Sequence, residues 1–459
     1  MFKPSIDKMA RKTSTISSCI ESVTFNSIRN VLPDKAIIEA CRKADYDYRK
    51  RVVTPVITIL HMITAALWPD ASFAASWQLT WSFFAAKYPS IAGQSPRRAT
   101  VAKARKRLPL KVWTHLSQWL CQNVQDVSET TAYWRSHRII NVDGTCLTTA
   151  DEPELRKAFG ISKGNYGDRK YPLARLVCLC LAETMTVIGY RLGSWYDDEN
   201  TLLRPLLKML RKGDLLVADR HFAGANLYWH YMQHGLEYVT RLHQKQIVTR
   251  LKKVWSNSRT DFVVRLNIAP VYRRQNQQMP PFILVRLIRV QVGMRGHRKP
   301  IWLVTSLLDS KRYPADEIAR LYLKRWRIET LFGQLKIEGG ADLLRSKSVN
   351  GIHKEVAARI CALNIIRIIM LQAAATGGVD IMRISFTRTV RAIIGFAPAL
   401  ALQPIGQLPV IYEAMLKEIA SYRVPDRPGR LEPRKVTHDK RAYPKLKTSR
   451  AQWRKQHAA

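Results

Sequence analysis

A mixed α/β core flanked by helical segments is the fold class the sequence predicts, on three observations. Two short apolar runs each end in a single acid, Ile139-Ile140-Asn141-Val142-Asp143 and Leu215-Leu216-Val217-Ala218-Asp219. Both have the length and texture of buried strands. Segments with helical spacing alternate with strand-like runs between about 138 and 330, as a mixed sheet requires. Outside that window the apolar spacing is helical on both sides.

Taken in order, residues 1–130 read as an N-terminal helical domain. Val31 to Ala44 has helical spacing after Pro33-Asp34, and Val52 to Trp68 is an apolar stretch too short for the roughly 20 residues that span a bilayer. It reads as a buried helix. Ser95 is the expected N-cap, with Pro96 at the first helical position, of a segment that carries seven basic residues and no acid from Arg97 to Lys111. Such a face is either simply solvated or set against a phosphate backbone. Trp68, Trp77, Trp81, Trp113 and Trp119 read as helix-packing residues. Residues 131–375 form the expected catalytic domain. In it, Leu173 to Glu183 and Thr184 to Ser194 pair as a hairpin. Asn200 to Leu210 reads as a helix stopped at Gly213, and Asp214 as a turn residue. A β-rich insertion spans about 241–300 and holds 14 basic residues against one acid, Asp261. Residues 376–459 give further helices and a basic tail, with twelve basic residues and three acids from Arg423 onward.

Composition narrows the function. The chain has 459 residues, 46% hydrophobic and 24% charged, which excludes a wholly disordered protein. Lys and Arg number 75 against 35 acids, a formal charge of +40. An enzyme acting on a neutral metabolite has no use for that field, whereas a polyanion partner does. The seven cysteines are odd in number and scattered, without zinc-knuckle spacing, and point to a reducing compartment. The first residues lack an apolar leader core. A soluble protein of the cytoplasm, associated with the nucleoid and not with a membrane, is expected.

The chemistry concentrates in Tyr322 to Lys336. On a continuous helix turning about 100° per residue, Tyr322, Arg325, Glu329 and Lys336 share an arc of about 60°. Leu321, Ile328, Leu331, Phe332 and Leu335 form an apolar stripe beside it. One acid between two cations and a phenol suits a phosphate held next to a metal, although an i,i+4 ion pair alone would be an ordinary surface feature. Asp143 and Asp219 add two acids at the ends of buried strands, where an unpaired carboxylate is costly. Three carboxylates in a strongly basic chain point to divalent metal, Mg²⁺ or Mn²⁺ and two ions, serving phosphoryl transfer. His221, two residues beyond Asp219, reads as a loop histidine.

The spacing Tyr-x2-Arg-x3-Glu-x6-Lys at Tyr322, Arg325, Glu329 and Lys336 resembles the YREK signature of the DDE transposases of the insertion-sequence-four family. Asp143-Gly144-Thr145 resembles that family's first-Asp segment and Ala218-Asp219-Arg220, with Phe222, its second. The resemblance covers roughly residues 30–370. It implies an RNase H-like core, with the insertion between the second Asp and the Glu. By the same analogy, Asp143, Asp219 and Glu329 are catalytic metal ligands, and Tyr322, Arg325 and Lys336 hold a phosphate near the transposon 5′ end. Arg220 is a phosphate contact by resemblance. Trp302 is a candidate for holding a flipped base, but aligning on Thr305-Ser306 leaves it one position out of register, which reverses its face and favours the core. The implied function is a DNA transposase that binds terminal inverted repeats as a homodimer, cleaves a strand and joins it to target DNA. A nuclease with the same core that does not join, and a non-enzymatic DNA-binding protein, are the rival readings. The second has no need of all three acids.

Overall fold

The computed structural model describes residues 26–49, 52–68, 72–87, 89–128, 133–164, 167–168, 171–243, 246, 248–292, 299–402 and 404–425. Cys19 and most of the basic C-terminal segment lie outside them. Six helices come first: α1 Asn26–Val31, α2 Asp34–Lys43, α3 Pro55–Leu67, α4 Phe73–Lys87, α5 Arg98–Arg107 and α6 Leu110–Ser128. All thirteen residues of α3 are buried. Its start is fixed by Thr54, whose hydroxyl accepts the Ile57 N–H, and by Pro55 in the first turn. The basic helix differs from expectation at its start. Ser95 does not cap it; its hydroxyl accepts the Trp77 indole N–H at 3.2 Å instead, and the helix begins two residues after Pro96.

The sheet that follows is built from β1 Tyr133–Trp134, β2 His137–Thr148, β5 Leu173–Leu181, β6 Val187–Ser194, β7 Leu215–Ala218, β8 Glu237–Arg241, β9 Lys252–Ser258, β10 Asp261–Asn267, β11 Phe282–Val292 and β12 Lys299–Thr305. The short β3 Lys163–Gly164 and β4 Gly167–Asp168 pair separately. The helices between strands are α7 Pro153–Phe159, α8 Glu199–Leu203, α9 Ala225–Gln233 and α10 Pro270–Gln275, and α11 Ala315–Leu323 follows the last strand. After the sheet come α12 Trp326–Ile337, α13 Val349–Gly377, α14 Phe386–Leu402 and α15 Leu408–Ser421.

The strand order is β6-β5-β2-β7-β8-β12-β11-β10-β9, with β1 paired to β2. The first three strands are an antiparallel meander, and β7 and β8 lie parallel to β2. This is the arrangement of an RNase H-like core. The insertion strands do not form a sheet of their own, because β12 pairs antiparallel with β8 and prolongs the core sheet through β11, β10 and β9. The insertion's sole acid is spent internally. Asp261 accepts a bidentate pair of hydrogen bonds from the fully buried Arg286, at 2.7 and 2.6 Å. Arg286 therefore holds the fold and does not face solvent. Asp214 closes the expected turn, its N–H donating to the Arg211 carbonyl at 3.0 Å, but it is more than a turn residue: it is buried and paired bidentately with Arg138 at 2.9 and 2.6 Å. The expected helix over Asn200–Leu210 shortens to α8 followed by a 3-10 turn, Arg204–Met209, because Pro205 supplies no N–H to a longer helix.

One element joins the two sides of the core. Ile352, Val356, Ile360 and Leu363 of α13 pack toward the β2–β5–β6 end of the sheet and α12. Ala357, Cys361, Ile365 and Ile369 pack with the N-terminal helices. α13 is long and apolar enough to cross a membrane, but 89% of its most apolar stretch is buried inside the protein, as befits a core helix apolar all round.

Candidate active site

The site forms where β2 outruns its neighbour. β7 pairs with β2 only from Ile139 to Val142, the last pair being Val142 with Ala218. Beyond that point the Asp143–Leu147 edge of β2 opposite β5 carries no strand among the described residues. Asp143 and Asp219 are the residues that follow this last pair, so the two acids sit side by side at a strand end. At Thr148 the edge is closed again by Asp342 and Leu344, through hydrogen bonds of 3.3 and 2.8 Å.

Glu329 reaches this place from α12, whose Ile328, Leu331, Phe332 and Leu335 are buried against Leu147, Leu176 and Cys178. The expected continuous helix is broken just before it. Lys324, Arg325 and Arg327 bond i to i−3, to the carbonyls of Leu321, Tyr322 and Lys324. The fully buried Asn141 donates its side-chain N–H to the Lys324 carbonyl at 2.9 Å, while Glu183 pairs with Lys324 at 2.6 Å and with Arg327 at 2.9 Å. These contacts tighten the turn and separate α11 from α12. Tyr322 is consequently only 4% exposed, with its hydroxyl still against Arg325. Its phenol pKa is raised by burial first, with Asp219 adding to the rise and Arg325 and Arg241 opposing it.

Arg325 ties Asp143 to Glu329. One guanidinium nitrogen lies 3.6 Å from Asp143 and another donates to Glu329 at 2.8 Å. Its Nε is buried without an acceptor among the described residues. Asp143 also accepts the Gly144 N–H at 2.8 Å, and Asp219 accepts that of His221 at 2.7 Å. The Asp143 carboxyl is pushed up to about 6: burial dominates, Asp219 and Glu199 add repulsion, and the Gly144 N–H and Arg325 counter it only in part. Lys336 is half-buried on the same side, and its charge acts on the Cys146 thiol.

The sequence reading missed Glu199 and Arg175. Glu199 opens α8, and its carboxyl lies over Gly144 so closely that a Cβ there would stand 2.6 Å from the Glu199 carboxyl carbon. Arg175 approaches Glu199 at 4.0 Å, and burial raises the Glu199 pKa despite it. A glycine inside a strand marks such a close approach, so Gly144 was the available signal. Two predicted residues take lesser places. Arg220 is half-buried in the 3-10 turn after Asp219. Trp302 packs edge-to-face on Phe262, ring centroids 5.4 Å apart, in the cluster on the sheet face opposite Tyr322. The structure does not bring it to the carboxylates.

Carboxylate oxygen is the donor type that Mg²⁺ and Mn²⁺ prefer. Among the described residues no three His, Cys, Asp or Glu side chains stand close enough to hold an ion as they lie. The reason is visible: Glu329 is half-exposed and turned onto Arg325.

Residues 134–365, half of the chain, match the family described as Transposase DDE domain. The chain belongs to the DDE transposase family. It is 23% identical over 317 residues to the transposase InsG for insertion sequence element IS4 of Escherichia coli (strain K12), covering 68% of this chain and 70% of that protein. It is 24% identical over 180 residues to the probable transposase for insertion sequence element IS5377 of Geobacillus stearothermophilus, covering 38% and 44%. A cryo-EM structure of the piggyBac transposase synaptic complex with hairpin DNA aligns over 88% of this chain and 86% of that one. With 11% identity and a TM-score of 0.42, it adds nothing to the assignment. The similarity to InsG agrees with the resemblance carried by Tyr322, Arg325, Glu329 and Lys336. The chain is a DNA transposase of the insertion-sequence-four type, DNA is its partner, and DDE transposases use divalent metal ions.

Proposed function

We propose that Asp143, Asp219 and Glu329 are the catalytic carboxylates of a transposase that cleaves a DNA strand at the element's inverted-repeat ends and joins it to target DNA. The observation that carries this reading is that Asp143 and Glu329, from distant parts of the chain, share one arginine at the open edge of β2, with Asp219 beside Asp143. The residues present fit Mg²⁺ or Mn²⁺, two ions, which when bound would activate the attacking oxygen and stabilise the leaving one. Glu329, which Arg325 holds in this structure, would join Asp143 and Asp219 in holding the metal. Arg325, with its buried Nε free to donate and its planar fork suited to phosphate, then holds the DNA backbone together with Lys336, and Tyr322 orients its guanidinium. Arg220 lies beside Asp219 as a further backbone contact. No covalent protein–DNA link is needed, since water and a 3′-hydroxyl serve as nucleophiles. Handling two ends at once requires at least two copies, so a homodimer forms on DNA.

The test is purified protein with end-containing DNA and Mg²⁺. Asp143→Asn, Asp219→Asn and Glu329→Gln should each abolish cleavage while end binding stays near normal. Cleavage retained by any one of them removes that residue from the catalytic set. Joining of precleaved ends by the wild type, measured alongside, separates a transposase from a nuclease of the same core.

A further inference from the structure

A second basic site lies at the far end of β2, between α5 and the start of α13. Lys354 of α13 is 4% exposed and donates from Nζ to the carbonyls of Arg105 at 3.2 Å and Lys106 at 2.9 Å. This fixes the last turn of α5 against α13. Between them is a groove of about 570 Å³. Arg105, Lys106, Arg345, Lys347 and Lys354 line it, with Glu154 as the one acid. The Arg105 guanidinium lies 4.0 Å over the Phe73 ring, with its buried Nε lacking an acceptor among the described residues. Lys106 and Lys347 are exposed, Lys347 reaching Glu152 at 2.9 Å. The amides at the start of α13 are already satisfied, that of Val349 by Glu154 and that of Gly351 by Ser348. The attraction for an anion therefore comes from the converging side chains and not from the helix end.

The groove's place relative to the carboxylates is set by β2. Asp143 and Thr148 are five residues apart, about 17 Å of strand. Leu344 donates to the Thr148 carbonyl, and Arg345 is the next residue. Lys336, acting on Cys146, lies along the way. A line of cations thus runs from Arg325 past Lys336 to Arg345, Lys347 and Lys106. At 3.4 Å per base pair, about 17 Å of duplex is about five base pairs.

We infer that this groove holds the phosphodiester backbone of the same DNA whose strand is cut at the carboxylates, about five base pairs from the scissile phosphate. The inference rests on the proposed catalytic site for the position of that phosphate. The groove anchors the duplex so that the scissile bond lies along the open edge of β2. Five cations from α5, α13 and the loop between Leu344 and α13 line the groove with one acid, Glu154, and such an extended cationic lining suits a polyanion better than a small free anion.

The full chain bound to end DNA without Mg²⁺ tests this by hydroxyl-radical footprinting and by salt titration. Lys106→Gln with Lys347→Gln changes two exposed side chains, with a thermal melt to verify the fold. Protection about five base pairs from the cleavage position should disappear, protection at the cleavage position should remain, and the slope of log K against log salt should fall by about two. Lys417→Gln, on the exposed face of α15, should leave both unchanged. A double variant that keeps the wild-type footprint and slope overturns the groove. If Glu329→Gln still blocks cleavage in that case, the catalytic reading stands and only the groove fails. If Glu329→Gln still cuts, the catalytic reading is the one lost.

Discussion

Replacing Asp143 by asparagine should make the metal-free protein more stable at neutral pH, although it destroys the proposed catalytic set. The fold raises this carboxyl from 3.8 to about 6, a difference of about 2 pH units. At about 1.4 kcal/mol per unit, ionising Asp143 in the folded state opposes folding by about 3 kcal/mol. The sign follows from linkage. Below pH 3.8 the group is protonated folded and unfolded, and there is no penalty. The penalty grows between 3.8 and about 6, and is complete above. Asparagine retains an oxygen for the Gly144 N–H and carries no charge, so it removes the penalty. Urea melts in chelator at pH 7.5 should show Asp143→Asn more stable by about 3 kcal/mol, and melts at pH 4 should show a difference near zero. Added Mg²⁺ should then stabilise the wild type and not the variant. A variant no more stable at pH 7.5, or one whose gain is the same at pH 4, would refute the account of Asp143 as a desolvated carboxylate among like charges.

Asp214→Asn should cost about 3–5 kcal/mol in the same melts, because it weakens the buried partner of Arg138 and leaves a guanidinium short of its counter-charge; a loss under about 1 kcal/mol would mean water reaches the pair. Gly144→Ala should fold normally, since the atom it meets is the movable end of Glu199. By displacing one acid from Asp143 it should shift the pH dependence of Mn²⁺ binding toward acid, and an unchanged profile would show Glu199 to be electrostatically idle. Trp302→Ala should destabilise the DNA-free protein by about 2 kcal/mol or more, because the indole's departure opens a cavity beside Phe262. Unaltered stability together with impaired end cleavage would instead return Trp302 to the DNA.

The nearness of Asp143 and Asp219 was legible in two apolar runs each followed by an acid, although only β7 stops there and β2 runs on to Thr148, and the Arg325–Glu329 pair was legible because its helical spacing survives the break in the helix. The break itself was not legible. Nothing in Leu323-Lys324-Arg325-Trp326 disfavours a helix. It is imposed by Asn141 and Glu183, well over a hundred positions away in the chain. The burial of Tyr322 was hidden for the same reason. Arg138–Asp214 and Arg286–Asp261 show the same limit: a bidentate pair can draw a charge inward, but its partner cannot be named from spacing. Ser95 has the chemistry of a cap and was taken by Trp77, a competition only the tertiary structure resolves. The signal for Glu199 was present in Gly144, whose absent side chain is the space the carboxyl occupies.

The helix Val349–Gly377 has a mechanical consequence. It gives one set of side chains to the nuclease-type sheet and another to the N-terminal bundle, so neither part can loosen without stripping half of the same rod. Heat or denaturant should therefore melt both together in a single step, and a force applied to the N-terminal helices should be felt at the carboxylates through that one helix.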